Sequence, residues 1–176
     1  MASFIFVASG THGIGFLGSA AAFASCAYAW DKTAQKRAWL TLAIIQFVLL
    51  LDLVFNWRWE LHDRAVAFAL ADNVYDERRW PQKIILALIF VTMIVLALRL
   101  WKHFQRRAGL TIAVVATVLS VALRIAELIS WHKADAILHY QIAGDAMVVN
   151  YLWFFLGLAA AAGVWIAIRY PASGWR

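Results

Sequence analysis

Ionisable residues interrupt the long apolar stretches of this chain at similar predicted depths. Asp52 and Arg124 form the clearest case, because they lie at nearly equal distances from the inner ends of their stretches. Hydrocarbon penalises a lone charge by roughly 2.5–3.5 kcal/mol on insertion scales. Opposite charges at one level of a helical bundle should face each other, and we predict an Asp52–Arg124 ion pair. The alternative for Arg124 is an extended side chain that reaches the outer headgroups.

Glu127 follows Arg124 on the same stretch and adds a second carboxylate. A partly buried carboxylate close to an arginine and within reach of histidine is typical of general acid–base sites, and equally of structural ion-pair networks. The candidate catalytic residues are therefore Glu127, Asp52 and Arg124, with a purely structural role as the alternative. The chain has no GxSxG nucleophile elbow, so nothing indicates a serine hydrolase.

A polar face follows Asp52 along its stretch. Its members recur at i, i+4, i+8 and i+11, which is one side of a continuous helix: Asp52, Asn56, Glu60 and Asp63. Together with polar residues at the outer ends of three other stretches, this face predicts a pocket that opens to the outside. Trp131 and Trp153 lie close to it, whereas most other tryptophans fit an interfacial belt. The predicted ligand-binding residues are His12, Asn56, Glu60, Trp131, Asn150 and Tyr151.

Histidines are concentrated on the predicted outer side. His132, Asp135 and His139 have the spacing i, i+3, i+7, so one helical face could present all three. With His62 they form a candidate metal set that suits a divalent or transition metal such as zinc, iron, manganese or copper. The alternative is that these side chains are hydrated at the interface. Haem would need two facing histidines, such as His12 with His132 or His62.

The composition is that of a membrane protein. The 176 residues are 64% hydrophobic and 15% charged, with a mean hydropathy of +0.72. Five apolar stretches each approach the roughly 20 residues that cross a bilayer as a helix. They cover about residues 4–29, 38–57, 84–101, 109–131 and 147–169. We predict an all-α integral membrane helical bundle with five transmembrane helices, and a single membrane domain over residues 1–176.

Helix positions follow from residue patterns. Residues 58–80 alternate apolar and charged side chains at helical spacing, which predicts a short amphipathic interfacial helix, with Pro81 in the turn after it. The third stretch is almost purely aliphatic and should lie at the periphery. Small residues in the first and fifth stretches should let these helices pack closely.

Charge distribution predicts the topology. The net charge is +6, and seven of the sixteen basic residues lie in two short loops on one side of the bilayer, whereas acids and bases roughly balance in the loops on the other side. The positive-inside rule then places the N-terminus outside and the C-terminus in the cytoplasm of a bacterial inner (plasma) membrane. The same placement argues against nucleic acid as a partner. The single cysteine, Cys26, excludes a disulfide or a CxxC pair within one chain.

Residues 75–82 and 127–135 resemble segments of small uncharacterised bacterial multi-pass membrane proteins. The resemblance implies a membrane protein and carries no activity.

Three functions fit these features. The first is an outward-facing polar pocket that binds a small or lipophilic ligand, or a metal or redox centre. The second is a non-catalytic subunit whose polar residues hold helices together and dock a membrane partner or a second copy. The third is a haem- or quinone-binding electron carrier. Besides the lipid bilayer, the expected partners are accordingly a small ligand, a homo-oligomer or another membrane protein.

Overall fold

Six helices carry most of the chain in the computed structural model, which describes residues 10–71, 79–104, 107–129, 136–143 and 146–171. The helices are α1 Gly10–Lys32, α2 Lys36–Phe55, α3 Trp57–Ala71, α4 Arg79–Phe104, α5 Ala108–Ile129 and α6 Val148–Arg169. Two short strands, β1 Gln141–Ala143 and β2 Ala146–Met147, pair antiparallel just before α6. The predicted all-α class is confirmed, and this small hairpin is an addition that the sequence patterns did not indicate.

Four helices are long and apolar enough to cross a membrane. These are α1 from Gly13, α2, α5 and α6. The helix α4 has 26 residues, but its apolar part, Lys83–Leu96, is shorter than a full span. The described chain therefore supports a multi-pass helical bundle with four candidate spans, and a fifth crossing by α4 stays a prediction.

Glycines set the close contact between α1 and α6. A Cβ atom built on Gly18 would lie 2.6 Å from the Cα atom of Phe154, and one on Gly157 would overlap the backbone of Gly18. Gly109 of α5 and Gly163 of α6 approach each other in the same way nearer the other end. The helix α6 thus packs against both α1 and α5, while α2 packs on α1. The predicted tight packing of the first and last stretches is confirmed.

The helix α4 lies at the edge of this bundle. It packs against α5 and leaves large apolar side chains exposed, among them Leu88, Val91 and Val95. An apolar groove of about 860 Å³ runs between α4 and α6, over the small residues Ala122 and Ala126 of α5. The predicted peripheral position of the third stretch is confirmed.

The polar face predicted from Asp52 to Asp63 is wrong, because the helix breaks at Asn56. Asn56 has φ 56° and ψ 34°, in the left-handed region, and its N–H bonds the carbonyl oxygen of Asp52 at 2.8 Å. Asparagine tolerates this conformation better than other non-glycine residues, so the helix can end here. The next helix, α3, begins at once. Pro81 was expected in the turn before the third stretch, but it lies in the first turn of α4, where proline is tolerated.

Candidate functional site

The carboxylate of Asp52 is the centre of a buried charged cluster. Its Oδ2 atom accepts a hydrogen bond from Arg124 Nη1 at 2.7 Å and another from Arg58 Nη1 at 2.7 Å. Arg124 Nη1 also donates to the carbonyl oxygen of Leu49 at 3.2 Å. Side-chain exposure is 15% for Asp52 and 8% for Arg124. The predicted Asp52–Arg124 ion pair is therefore confirmed, and the alternative in which Arg124 extends to the headgroups is wrong.

The break at Asn56 explains how Arg58 reaches this cluster. Because α2 ends at Phe55 and α3 begins at Trp57, the chain turns immediately outside the span. The backbone N–H of Arg58, in the first turn of α3, donates to Asp52 Oδ1 at 3.3 Å. First-turn amides of a helix have no partner within the helix, and a carboxylate there is favoured by the helix dipole. Asp52 thus holds the start of α3 as well as two guanidinium groups.

Glu127 joins the cluster from α5. Its Oε2 atom lies 3.8 Å from Arg58 Nε, and the residue is only 4% exposed. Arg58 therefore connects α3 to the carboxylates of both α2 and α5. Two arginines and two carboxylates give the cluster a formal charge of zero. Burial of these four ionisable groups therefore leaves no uncompensated charge, which would be strongly destabilising.

Trp153 completes the cluster from α6. The guanidinium carbons of Arg58 and Arg124 lie 4.5 Å and 4.6 Å from its ring centroid, within cation–π distance. The indole is 3% exposed. Asp52, Arg58, Arg124, Glu127 and Trp153 are called the Trp153 cluster from here on. It joins four helices at the ends of α2, α5 and α6 that the topology prediction places outside.

Three N–H donors of the Trp153 cluster make no hydrogen bond to the described residues. Arg58 Nε, Arg124 Nε and Trp153 Nε1 are buried, and each lacks a hydrogen-bond partner within the part of the chain that the structure describes. Buried polar groups in proteins are almost always hydrogen-bonded, so each exception calls for an explanation. Arg58 Nε has the Glu127 carboxylate at 3.8 Å, so Arg124 Nε and Trp153 Nε1 are the donors with neither a hydrogen bond nor an ion pair among the described residues.

A second polar contact lies deeper in the bundle. Gln46 Nε2 of α2 donates to Thr117 Oγ1 of α5 at 2.8 Å, and Thr117 Oγ1 donates to the carbonyl oxygen of Ala113 at 2.8 Å. Ser120 Oγ donates to the carbonyl oxygen of Ala116 at 2.9 Å. The threonine and serine hydroxyl protons are bonded to the backbone of α5 itself, so the Gln46–Thr117 hydrogen bond is the one of these contacts that connects α2 to α5.

The other predicted ligand-binding residues are scattered. Asn56 is exposed at the helix break, and Glu60 is exposed on α3, where it pairs with Arg64 at 2.5 Å. Asn150 is buried in the first turn of α6, and Tyr151 beside it is half-buried. Of these four residues, Asn150 has the burial expected of a pocket residue. Trp131 and the side chain of His12 lie outside the described parts of the chain.

The predicted metal set is only partly described. His132 and Asp135 fall outside the described residues. His139 lies in a turn before β1, and His62 Nδ1 of α3 is 3.3 Å from the carbonyl oxygen of Leu128. Among the described histidines, cysteines and carboxylates, no three come together as a metal ion requires. The metal and haem predictions that use His132 or His12 stay predictions.

Arg58 is the member of the Trp153 cluster that sequence reasoning missed. A charged residue just beyond an apolar span normally faces water. The signal that could have found it is Asn56, because an asparagine that ends the helix turns the next charged residue back over the bundle. Trp153 was expected near the polar residues, and that position is confirmed.

Comparison of the chain with protein-family models, with curated proteins and with solved structures found no match. Its function is therefore inferred from the chemistry of the Trp153 cluster.

Proposed function

We propose that this chain is an integral membrane protein whose Trp153 cluster binds a neutral lipophilic ligand through a hydrogen-bond-accepting oxygen. The observation that carries the proposal is the pair of buried N–H groups, Arg124 Nε and Trp153 Nε1, that have neither a hydrogen bond nor an ion pair among the described residues. A ligand oxygen would satisfy donors that are otherwise costly to bury.

Charge balance selects a neutral ligand. The Trp153 cluster has two positive and two negative groups, and an added anion would leave one uncompensated charge away from water. Such a charge costs several kcal/mol in a membrane interior. A ketone, ester or quinone carbonyl supplies an acceptor without a net charge. Quinone binding, one of the electron-carrier alternatives, is thus one case within this ligand class.

The residues of the site have distinct proposed roles. Arg124 Nε and Trp153 Nε1 donate to the ligand oxygen, while the indole ring packs against the guanidinium groups of Arg58 and Arg124. Asp52 holds both guanidinium groups in place through its two 2.7 Å bonds. Asn150 lies one turn before Trp153 on α6 and extends the same face. Catalytic roles for Glu127, Asp52 and Arg124 stay predictions.

The proposal includes the topology inferred from charge. In this topology α4 also crosses the membrane, which brings the number of crossings to five. The N-terminus is outside and the C-terminus is cytoplasmic in a bacterial inner membrane. The support is that Lys32 ends α1, Lys36 and Arg37 begin α2, and Arg107 lies between α4 and α5. The Trp153 cluster is then on the outer side.

A short-chain benzoquinone is a suitable probe, since it presents carbonyl oxygens on an apolar ring. Equilibrium dialysis with the purified protein in detergent measures its binding. Trp153→Phe keeps an aromatic ring but removes one donor, and binding should weaken by about fivefold to tenfold, as expected for one hydrogen bond. Trp165→Phe, on the exposed side of α6, is the matched control and should bind as the parent does. Equal binding by the parent and Trp153→Phe would refute the assignment.

A second candidate function is that of an assembly subunit, favoured by the 860 Å³ apolar groove between α4 and α6. A transmembrane helix of a second chain could fill this groove. Chemical cross-linking in native membranes tests the idea, and one stoichiometric cross-linked species that disappears in an Ala122→Trp, Ala126→Trp variant would support it. A chain that remains entirely monomeric in the membrane would contradict it.

A further inference from the structure

A basic concavity lies at the end of the bundle opposite the Trp153 cluster. It forms where α1 and α6 end and where α2 and α5 begin. Two adjoining cavities, of about 220 Å³ and 520 Å³, share Ala34, Gln35, Arg107 and Leu110 in their walls. This region is called the basic cavity below.

Four cationic residues line the basic cavity: Lys32, Lys36, Arg37 and Arg107. Asp31 lies next to it and forms an ion pair with Lys32 at 2.9 Å, with both side chains largely exposed. No carboxylate is among the described residues that line either cavity. One acid against four bases leaves an excess of positive charge at the mouth.

Two helix N-termini add to the positive potential. Both α2 and α5 begin at the basic cavity, and neither has an acidic residue in its first turn. The residue before α2, Gln35, makes no side-chain capping hydrogen bond. Free first-turn N–H groups and the positive end of the helix dipole favour an anion at such a position. The hydroxyl of Thr33, another residue of the wall, has no partner in the described chain.

Apolar residues form the remaining wall. Leu110, Ala167 and Ile168 lie in the last or first turns of apolar candidate spans, beside the cationic residues. A ligand in this position meets positive charge at headgroup depth and hydrocarbon next to it. This combination matches an amphiphile with an anionic head, and basic sites between helix ends are known to bind phospholipid head groups. A soluble anion would gain nothing from the apolar wall.

We propose that the basic cavity binds the phosphate group of an anionic phospholipid in the leaflet that it faces. The site is separate from the Trp153 cluster, and the inference does not rest on the ligand proposed there.

Native mass spectrometry of the detergent-purified protein tests the proposal, with phosphatidylglycerol as the probe and phosphatidylcholine as the uncharged reference. We expect one phosphatidylglycerol per chain to bind at concentrations where phosphatidylcholine does not. Arg107→Gln and Lys36→Gln should each weaken binding about fivefold, the contribution of one basic residue near an anionic lipid. Lys102→Gln is the matched control, since Lys102 is exposed near the end of α4, away from the cavity walls.

Several results would overturn the proposal. One is equal retention of the two lipids, and another is weakening by Lys102→Gln to the same extent as by Arg107→Gln. Tight binding of inorganic phosphate alone, with displacement of phosphatidylglycerol, would assign the site to a soluble anion instead. If Arg107→Gln does not fold, Lys36→Gln and Arg37→Gln decide the question, because both side chains are exposed and at the helix start.

Discussion

Removing the charge of Asp52 is the sharpest perturbation of the Trp153 cluster. Asp52→Asn keeps the shape of the side chain and an oxygen that can still accept the N–H of Arg58. What it removes is the negative charge that Arg58 Nη1 and Arg124 Nη1 share, each at 2.7 Å. The cluster then carries a formal charge of +1 in a buried site. Breaking a buried ion pair from one side costs about 3–5 kcal/mol, and we expect a loss of this size in the free energy of unfolding.

The double variant Asp52→Asn, Arg124→Gln should lose less than Asp52→Asn alone. It restores a neutral cluster, in which Arg58 and Glu127 remain as a pair at 3.8 Å. We expect it to regain about 1–2 kcal/mol of the loss, within the range of coupling energies for residues in one network. SDS-titrated unfolding in mixed micelles measures these free energies for the parent, both single variants and the double variant.

Glu60 and Arg64 provide the matched control. They form an ion pair on one face of α3, but their side chains are 61% and 76% exposed. Water screens such a pair, so Glu60→Gln and Arg64→Gln should couple by less than about 0.5 kcal/mol. If Asp52→Asn and Arg124→Gln were simply additive, like this exposed pair, the reasoning about the buried cluster would be refuted.

Three further predictions concern the bundle. Gly157→Val should cost about 3 kcal/mol or more in unfolding free energy, since its Cβ meets the backbone of α1, whereas Gly13→Val, with open space around it, should cost less than about 1 kcal/mol. Asn56→Gly should be neutral or stabilising while Asn56→Val loses about 1–2 kcal/mol, because a left-handed φ strains a β-branched residue; thermal unfolding compares the two. Thr117→Val removes the acceptor of the Gln46 amide and should cost about 1 kcal/mol, and recovery in a Gln46→Leu, Thr117→Val double variant would identify the lost hydrogen bond as the cause.

Hydropathy and depth predicted a large part of this architecture. The backbone N–H and C=O groups of a long apolar stretch must be hydrogen-bonded within the protein when they lie in a bilayer, and a helix does this within one segment. The positions of the helices therefore follow from the positions of the apolar stretches. Asp52 and Arg124 were predictable partners because a lone charge in hydrocarbon costs several kcal/mol, and pairing opposite charges at the same depth reduces that cost. The peripheral position of α4 followed from its uniformly aliphatic surface.

The break at Asn56 and the burial of Arg58 could not be predicted in the same way. An asparagine inside a helical pattern can continue the helix or end it, and local sequence does not distinguish the two. Arg58 is buried only because α3 folds back against α5, a tertiary contact that carries no periodic signal. The consequence was a predicted pocket face, through Asn56 and Glu60, that points to solvent instead.

The central claim is that charged groups from different helices meet away from water at one end of the bundle. Rotational-echo double-resonance NMR of the protein in lipid bilayers, with ¹⁵N-labelled arginine and ¹³C-carboxyl-labelled aspartate, measures this proximity directly. The geometry predicts an arginine–aspartate signal at ion-pair distance that disappears in Asp52→Asn. An identical signal in the parent and Asp52→Asn, or none in either, would contradict it.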